Sequence, residues 1–504
     1  MNSKEVRAHR LTLPDEAATA RLAAALAPMF MPGDLITLAG DLGSGKTTFV
    51  RHVVRQLAGN PQMDVPSPTF SLMQLYDTPR GQVVHADLYR LGGPADLAEI
   101  GWDEIGDRAI LLVEWPDRAG EDLSGARLEL RFELDLHNPA SRDVTIYPRG
   151  NWPARISRAL QIAGFLDKVG WAGARREYLQ GDASSRRYER LLDRGRSAIL
   201  MDSPRRPDGA PIRDGKPYSQ IAHLAEDVLP FAAISLALRA QHFSAPDILA
   251  ADIDRGFLLI EDFGAETVIE NGAWVPERMR VATDVLIELH GRDLPQEIAL
   301  ESGSYRLPLY DLEALLIEVE LLLDWYLPHM RKSPGAGQRE DFIAAWREIL
   351  TPVAEAHSTW VLRDYHSPNL MWLPQRENIR RIGLLDFQDA AIGHAAYDVV
   401  SLLQDARIDV PESVEMQFLT HYVTGRRAAD PDFRPLDFAA AYAVLGAQRA
   451  TKILGIFVRL AVRDGKQNYL KHIPRLIGYL DRDLAHPALA PLRNWYLAAF
   501  GGRS

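Results

Sequence analysis

Two groups of residues in this chain have the types and spacing that handle phosphate. The first is contiguous. Gly40-Asp41-Leu42-Gly43-Ser44-Gly45-Lys46-Thr47, followed by Thr48, satisfies G-x-x-x-x-G-K-[ST] at every defined position. Its glycines let backbone N–H groups turn in around phosphate oxygens, Lys46 is placed over the β- and γ-phosphates of ATP, and the Thr47 hydroxyl is placed to ligate Mg2+. The helix expected from Lys46 onward would aim its positive dipole end at the same anion. Glu114 ends the apolar run AILLVE and Asp87 ends QVVHAD. A strand-end carboxylate there can hold magnesium or its water shell, or be an ordinary surface acid. Ser67-Pro68-Thr69 stands in VPSPTFSL, where a loop would sense a γ-phosphate; by itself such a loop is a connector.

The second group is dispersed. In VLRDYHSPNLMW, Asp364 and Asn369 are five residues apart, and Asp386 ends IGLLD seventeen residues further on. Phosphoryl transfer of the kinase type needs an Asp to accept the hydroxyl proton, an Asn five residues later and a strand-end Asp, the last two for Mg2+. That chemistry is mostly positioning and charge neutralisation, so the three groups must converge on one pair of loops.

The elements that position them follow from the hydrophobic pattern. Residues 1–150 alternate strand-like runs (DLITLA, QVVHAD, AILLVEW, ARLELRFEL, DVTIYP) with helical stretches, the pattern of an α/β nucleotide-binding domain. PRGNWP near 150 punctuates the chain, and ISRALQIAGFLDKVGW follows with helical spacing, so a boundary is expected there. Short strand-like runs recur over about 155–265 (RREYLQ, RYERLL, SAILMD, GFLLIED), and about 266–495 is strongly helical, with DLEALLIEVELLLDWYL its clearest helix. A strand-rich lobe before a helical lobe reads as an α+β two-lobed kinase-like fold over 151–504.

Composition narrows the rest. No cysteine occurs, which removes disulfides, Cys-ligated zinc and thiol catalysis and fits a reducing compartment, so a cytoplasmic location is expected. No apolar run approaches the roughly 18 residues that a membrane span needs. Net charge is −11, shared as −6 over residues 1–150 and −5 over the remainder. Neither part has the basic bulk of a nucleic-acid grip, so any RNA is expected to be held through a partner. No H-E-x-x-H occurs, and His394 has no partner at metal-ligand spacing. His366, inside the second group, is expected to pack rather than orient Asp364.

Two resemblances sharpen these readings. GDLGSGKTTFVR, VPSPTFSLMQLY, HADLYRL, EIGWDE and LLVEWPDR, in this order over residues 8–150, resemble the TsaE family, the P-loop ATPases of tRNA threonylcarbamoyladenosine synthesis. The resemblance implies docking onto the threonylcarbamoyl-transferase complex, with tRNA met only indirectly. It implies phosphate and Mg2+ binding by Lys46 and Thr47, a switch role for Thr69, and metal and water chemistry for Asp87 and Glu114. Trp115 matches the family's tryptophan after the acid, as a nucleotide contact or a packed aromatic. Residues 155–490 are similar to the aminoglycoside phosphotransferase-like kinases through GDASSRRYERL, SAILMDSP, LLIEDFG, RDYHSPNL and LLDFQDAAIGHAAYDVVSLL. They match best the N-acetylmuramate/N-acetylglucosamine kinase (AmgK-like) branch, which phosphorylates amino sugars at the anomeric hydroxyl. That resemblance makes Asp364 the base, Asn369 and Asp386 the Mg2+ ligands, and Gly181 to Arg187, with Ser184 and Ser185, the loop over the phosphates of ATP. It makes Glu261 to Phe263 the adenine hinge and gives Asp398 the task of steadying the catalytic loop.

Three departures keep alternatives open. Leu362 stands where many members have His, and Gln388 replaces the glycine of a DFG-type turn. SAILMDSP lacks the third-strand lysine, none occurring between Lys168 and Lys216. Arg186 and Arg187 are candidates to replace it, although Arg is not an equivalent point charge. A non-catalytic pseudokinase, a kinase for another small hydroxyl compound, a P-loop small-molecule kinase in the first half and a purely regulatory ATP-binding protein all remain as readings.

Overall fold

In a computed structural model the described residues are 8–93, 96–97, 108–123, 125–135, 137–179, 186–205, 209–300, 303–356 and 358–500. The chain divides into two compact units, residues 1–200 and 201–504.

The first unit is built on a seven-stranded sheet of β1 (His9–Leu13), β2 (Leu35–Ala39), β3 (Met73–Thr78), β4 (Gly81–Asp87), β5 (Ala109–Glu114), β6 (Leu128–Leu134) and β7 (Arg142–Pro148). Their order is β1-β7-β6-β2-β5-β4-β3. The centre is parallel, β6-β2-β5-β4, and the flanks are antiparallel. The five strands read from the sequence are all present; β1 and β3, edge strands with exposed residues and weak alternation, were not read. Helix α1 (Glu16–Leu26) starts at Asp15, whose side chain accepts from Ala18 N–H at 2.7 Å. Helix α2 (Lys46–Ala58) buries Phe49, Val50, Val53, Val54 and Leu57, one apolar stripe, against Ile36, Leu38, Val83 and Leu130 of the sheet. Asp87 and Glu114 are register partners at the carboxyl ends of adjacent parallel strands. The loop joining β2 to α2 leaves from the same edge, the usual ligand side of such a sheet.

PRGNWP near 150 is a turn, and helix α3 (Trp152–Lys168) follows it at once. Trp152 is buried in the core of the first sheet, edge-on to Phe30 at 5.9 Å. Arg155 pairs with both carboxylate oxygens of Asp34, at 2.5 and 2.6 Å. β8 (Arg175–Leu179) and β9 (Arg187–Asp193) form an antiparallel hairpin beside β10 (Arg196–Asp202). Within this unit Glu189 of β9 meets Arg176 at 2.5 Å and Arg80 at 3.6 Å. The strands read as one small lobe are therefore divided, those up to Leu200 falling in the first unit.

The second unit is mainly helical: α4 (Leu229–Ala240), α5 (Pro276–His290), α6 (Leu312–Leu321), α7 (Ala336–Glu355), α8 (Ala396–Leu403), α9 (Glu412–Ala429), α10 (Pro435–Arg463), α11 (Ile473–Leu484) and α12 (Ala490–Phe500). The antiparallel strands β11 (Ile248–Asp252) and β12 (Phe257–Ile260) precede α5. Between α7 and α8 lies the expected island of short strands: β13 (Thr359–Val361) pairs with β16 (Ala391–Gly393), and β14 (Leu370–Trp372) with β15 (Ile382–Leu384). Helix α10 is the axis, buried on most sides from Ala441 to Ala461. Gly455 allows its closest approach, since a Cβ there would stand 2.4 Å from the backbone of Leu321.

Two candidate phosphate sites

At the first site the sequence Gly-x-x-Gly-x-Gly sets the backbone. Gly40, Gly43 and Gly45 have φ of 139°, 79° and 101°, and a Cβ at Gly40 would lie 2.2 Å from the Phe132 carbonyl. Lys46 Nζ donates to the Gly40 and Asp41 carbonyls at 2.8 and 2.9 Å and stands 4.0 Å over the Trp115 ring. Burial lowers the Lys46 pKa, against the pull of Glu114, Asp87 and Asp41. Thr47 Oγ1 donates to Glu114 Oε2 at 3.0 Å, and Glu114 Oε1 meets His85 Nε2 at 2.9 Å in a buried pair. Asp87 Oδ2 accepts from Ser67 and Thr69 hydroxyls at 3.0 and 2.7 Å. Trp115 itself has φ 60° and packs against Tyr89.

Lys46, Thr47, Thr69, Asp87, Glu114 and Trp115 thus gather around one loop, while Leu42 points outward and Thr48 continues into α2. The Ser44 hydroxyl is buried inside the loop with no hydrogen-bond partner, an orphan donor that a phosphate oxygen fits. Two further residues belong here. Arg142 Nε and Nη2 donate to the Ser44 and Gly43 carbonyls at 3.0 and 3.3 Å, bracing the loop from β7. His85 was not singled out in the sequence, although it lies two residues before Asp87 and shares its face of the strand, a spacing that could have flagged it.

At the second site Asp364 sits on the turn after β13. Leu362 and Arg363 N–H groups donate to Asp398 at 2.7 and 2.9 Å, so the buried acid on the first turn of α8 fixes this turn, where Arg363 has φ 66°. Ser367 N–H donates to Asp405 at 2.9 Å. Asn369 Nδ2 donates to the Asp364 carbonyl at 3.0 Å, and its own carbonyl accepts from Leu385 N–H at 2.9 Å, which draws the two loops together. Asp386, at φ 56°, is braced by Gln388 Nε2 at 2.9 Å. The departure from glycine at 388 therefore supplies a side-chain prop. Desolvation, and then the nearby Asp386 carboxylate, push Asp364 up to about 6, with Lys452 opposing. His366 lies 4.0 Å from Asp364, outside hydrogen-bond reach, and is kept neutral by burial beside Arg407 and Arg449. Its Nε2 instead accepts from Arg407 Nη1 at 3.3 Å.

A buried charge network carries the loop from behind. The Arg363 guanidinium meets Glu318 Oε1 at 2.5 Å, and Glu318 also takes Lys452 at 2.7 Å, Tyr310 at 2.5 Å and Gln448 at 3.0 Å. The opposed cations hold Glu318 below the usual range despite the desolvation that opposes them. None of this network was read from the sequence.

The remaining expected residues are less gathered. Glu261 uses its backbone N–H on the Asp247 carbonyl and its carboxylate on Arg376 at 2.5 Å. The Phe263 ring covers Gly383, where a Cβ would lie 2.7 Å from it. Arg187 Nη2 is 3.2 Å from Met31 Sδ within the first unit. Gly181, Ser184 and Ser185 lie outside the described residues. Among the described residues no three or more His, Asp or Glu side chains form a metal cage. Asn369 and Asp386 suit Mg2+ of the kind completed by substrate phosphates.

A model of the family described as "Threonylcarbamoyl adenosine biosynthesis protein TsaE" matches residues 13–144, and one of the "Phosphotransferase enzyme family" (APH) matches 176–433. The chain is a fusion of these two families. Its TsaE part is 36% identical to the tRNA threonylcarbamoyladenosine biosynthesis protein TsaE of Rickettsia conorii, over 31% of this chain and 89% of the relative. Its APH part is 38% identical to the N-acetylmuramate/N-acetylglucosamine kinase of Caulobacter vibrioides, over 66% of this chain and 94% of the relative. The corresponding kinase of Pseudomonas aeruginosa is 34% identical, over 62% and 84%. The TsaE–APH fusion is an enzyme with phosphotransferase activity, an α/β P-loop domain followed by a kinase-like fold. No helix among the described residues is long and apolar enough to cross a membrane.

Proposed function

We propose that the chain is bifunctional. Residues 1–150, with α3 as their brace, form an ATPase that supports tRNA threonylcarbamoyladenosine modification. Residues 151–504 form a kinase that phosphorylates the anomeric hydroxyl of N-acetylmuramate or N-acetylglucosamine. Both act in the cytoplasm and use ATP with Mg2+.

In the first half Lys46 leaves the Gly40 and Asp41 carbonyls for the phosphates, and Thr47 with Glu114 offers the oxygen pair for the cation. Asp87 holds Thr69 and so ties the switch loop to the sheet edge. Exposed Leu42 and Phe70, 76% and 84% exposed, rim this site with apolar surface suited to a protein partner, which we take to be the threonylcarbamoyl-transferase complex.

In the second half Asp364 accepts the proton of the sugar hydroxyl while Asn369 and Asp386 orient the nucleotide. Bound ATP–Mg2+ supplies the transferable phosphoryl group. The observation that carries this reading is the convergence of Asp364, Asn369 and Asp386 on a turn fixed by Asp398. The missing third-strand lysine favours one competing reading, a pseudokinase. ADP release by Lys46→Ala with each sugar tests both. Sugar-dependent release that Asp364→Asn abolishes is expected; no release with either sugar would favour the pseudokinase or another acceptor.

A further inference from the structure

Helix α10 carries two cations on one face, Lys452 and Arg459, two turns apart and so about 10 Å along the axis. Lys452 is paired, with Glu318 at 2.7 Å and the Tyr397 hydroxyl at 3.2 Å. Arg459 differs. Its Nε is buried with no hydrogen-bond partner. The Tyr218 ring lies 5.5 Å from its Cζ. Burial depresses the guanidinium, and Tyr218 and Asp464 only partly offset this. A buried guanidinium nitrogen without an acceptor is held at a cost, and such groups are retained where a ligand supplies one.

The setting says which ligand. Tyr218 opens the turn 218–221, and the next two carbonyls, Ala222 and His223, accept from Arg363 at 2.9 and 3.5 Å. Ala225 N–H donates to Asp389 at 2.6 Å. Arg363 directly precedes the base, so the wall bearing Tyr218 and Arg459 is tied to the catalytic turn. Tyr218 lies in the fields of Glu318, Lys452, Arg459 and Arg363, and Asp364 in those of Asp386, Lys452, Asp389 and Arg363. Among the charged groups that act on Tyr218, Glu318 is set against Lys452, Arg459 and Arg363.

We propose that Arg459 forms an anion subsite of the acceptor pocket and receives the lactyl carboxylate of N-acetylmuramate, a group that N-acetylglucosamine lacks. The inference rests on the amino-sugar kinase reading. Arg is suited to it, since its planar fork grips a carboxylate bidentately. Arg459 is then a specificity residue, and its loss acts on one sugar only.

The test measures sugar phosphate formed directly, for the full chain and for Arg459→Gln and Arg459→Lys, with each sugar. Arg459→Gln lowers kcat/KM for N-acetylmuramate about 30-fold or more, chiefly through KM, because a charge pair is truncated. N-acetylglucosamine turnover changes by less than about threefold, which also shows that the variant is folded. Arg459→Lys, which keeps the charge and loses the fork, falls between on N-acetylmuramate alone. An equal loss on both sugars, or none on either, overturns the inference and leaves the kinase reading standing. If the unaltered chain phosphorylates neither sugar, the kinase reading falls and the inference falls with it.

Discussion

The two candidate phosphate sites of this chain are built on opposite plans. The first is local: eight consecutive residues shape the cradle, and its lysine rests on the carbonyls of the same loop, 2.8 and 2.9 Å away. The second is assembled. Its three principal groups come from two loops, and the turn that carries Asp364 is held by Asp398, Asp405 and, through Arg363, Glu318. A backbone cradle needs few distant supports, whereas side chains that transfer a phosphoryl group must be aimed, and aiming needs a rigid rear wall. The plans predict different sensitivities to mutation.

The largest effects separate the sites outright. Asp364→Asn is expected to lower sugar-dependent ADP release about 1,000-fold, while sugar-independent hydrolysis persists. Lys46→Ala is expected to lower sugar-independent hydrolysis about 100-fold and leave the sugar-dependent part, since its phosphate charge pairing is lost at the first site only. An ADP-release assay that finds both activities falling together in either variant would break the comparison.

The next effect tests the rear wall. Asp398→Asn leaves one of two buried N–H groups facing a donor and is expected to cost about 1–3 kcal/mol, seen as a lower melting temperature of the second unit. No equally remote substitution should harm the first site as much; His85→Phe, which removes the partner of Glu114, is expected to slow ATP hydrolysis about tenfold, consistent with loss of a positioning bond.

Acid also distinguishes the units. Burial, helped by His290, pushes His394 down to about 4, and its Nδ1 accepts from Ala396 N–H at 3.1 Å. The unfolded imidazole binds its proton nearer 6.5, so the stabilisation is complete above that pH and is lost as pH falls towards 4. By pH 5 the loss is roughly 2 kcal/mol. Melting curves at pH 7 and 5 should show it, and His394→Gln, which keeps an acceptor, should remove the His394 share of the difference and leave that of buried His366 and His290.

Legibility followed the same division. The P-loop could be read because its chemistry is in the backbone and a contiguous motif specifies it. Asp364, Asn369 and Asp386 could be read because their spacing is set by two short loops, and Asp398 because it opens a helix just after them. Glu318 could not. It meets Arg363 across 45 positions and Gln448 across 130, and no period or motif joins acids to bases at such range. Arg142 was hidden for the same reason, 98 positions from the carbonyl it braces. The hinge at Glu261 to Phe263 was implied by the resemblance alone, and the bond from the Glu261 carboxylate to Arg376 across 115 positions was not legible. Composition marked a break at 150, where the chain does turn, but the packing continues across it.

That continuity matters for anyone wishing to separate the halves. Trp152 fills the core of a sheet whose last strand ends at Pro148, and Arg155 neutralises Asp34 on the other side of the punctuation. A gene cut at codon 150 would leave Phe30 facing solvent through a hole the size of an indole, and the ATPase fragment would be prone to stick to itself. A cut placed after Lys168 would carry the plug along with the vessel.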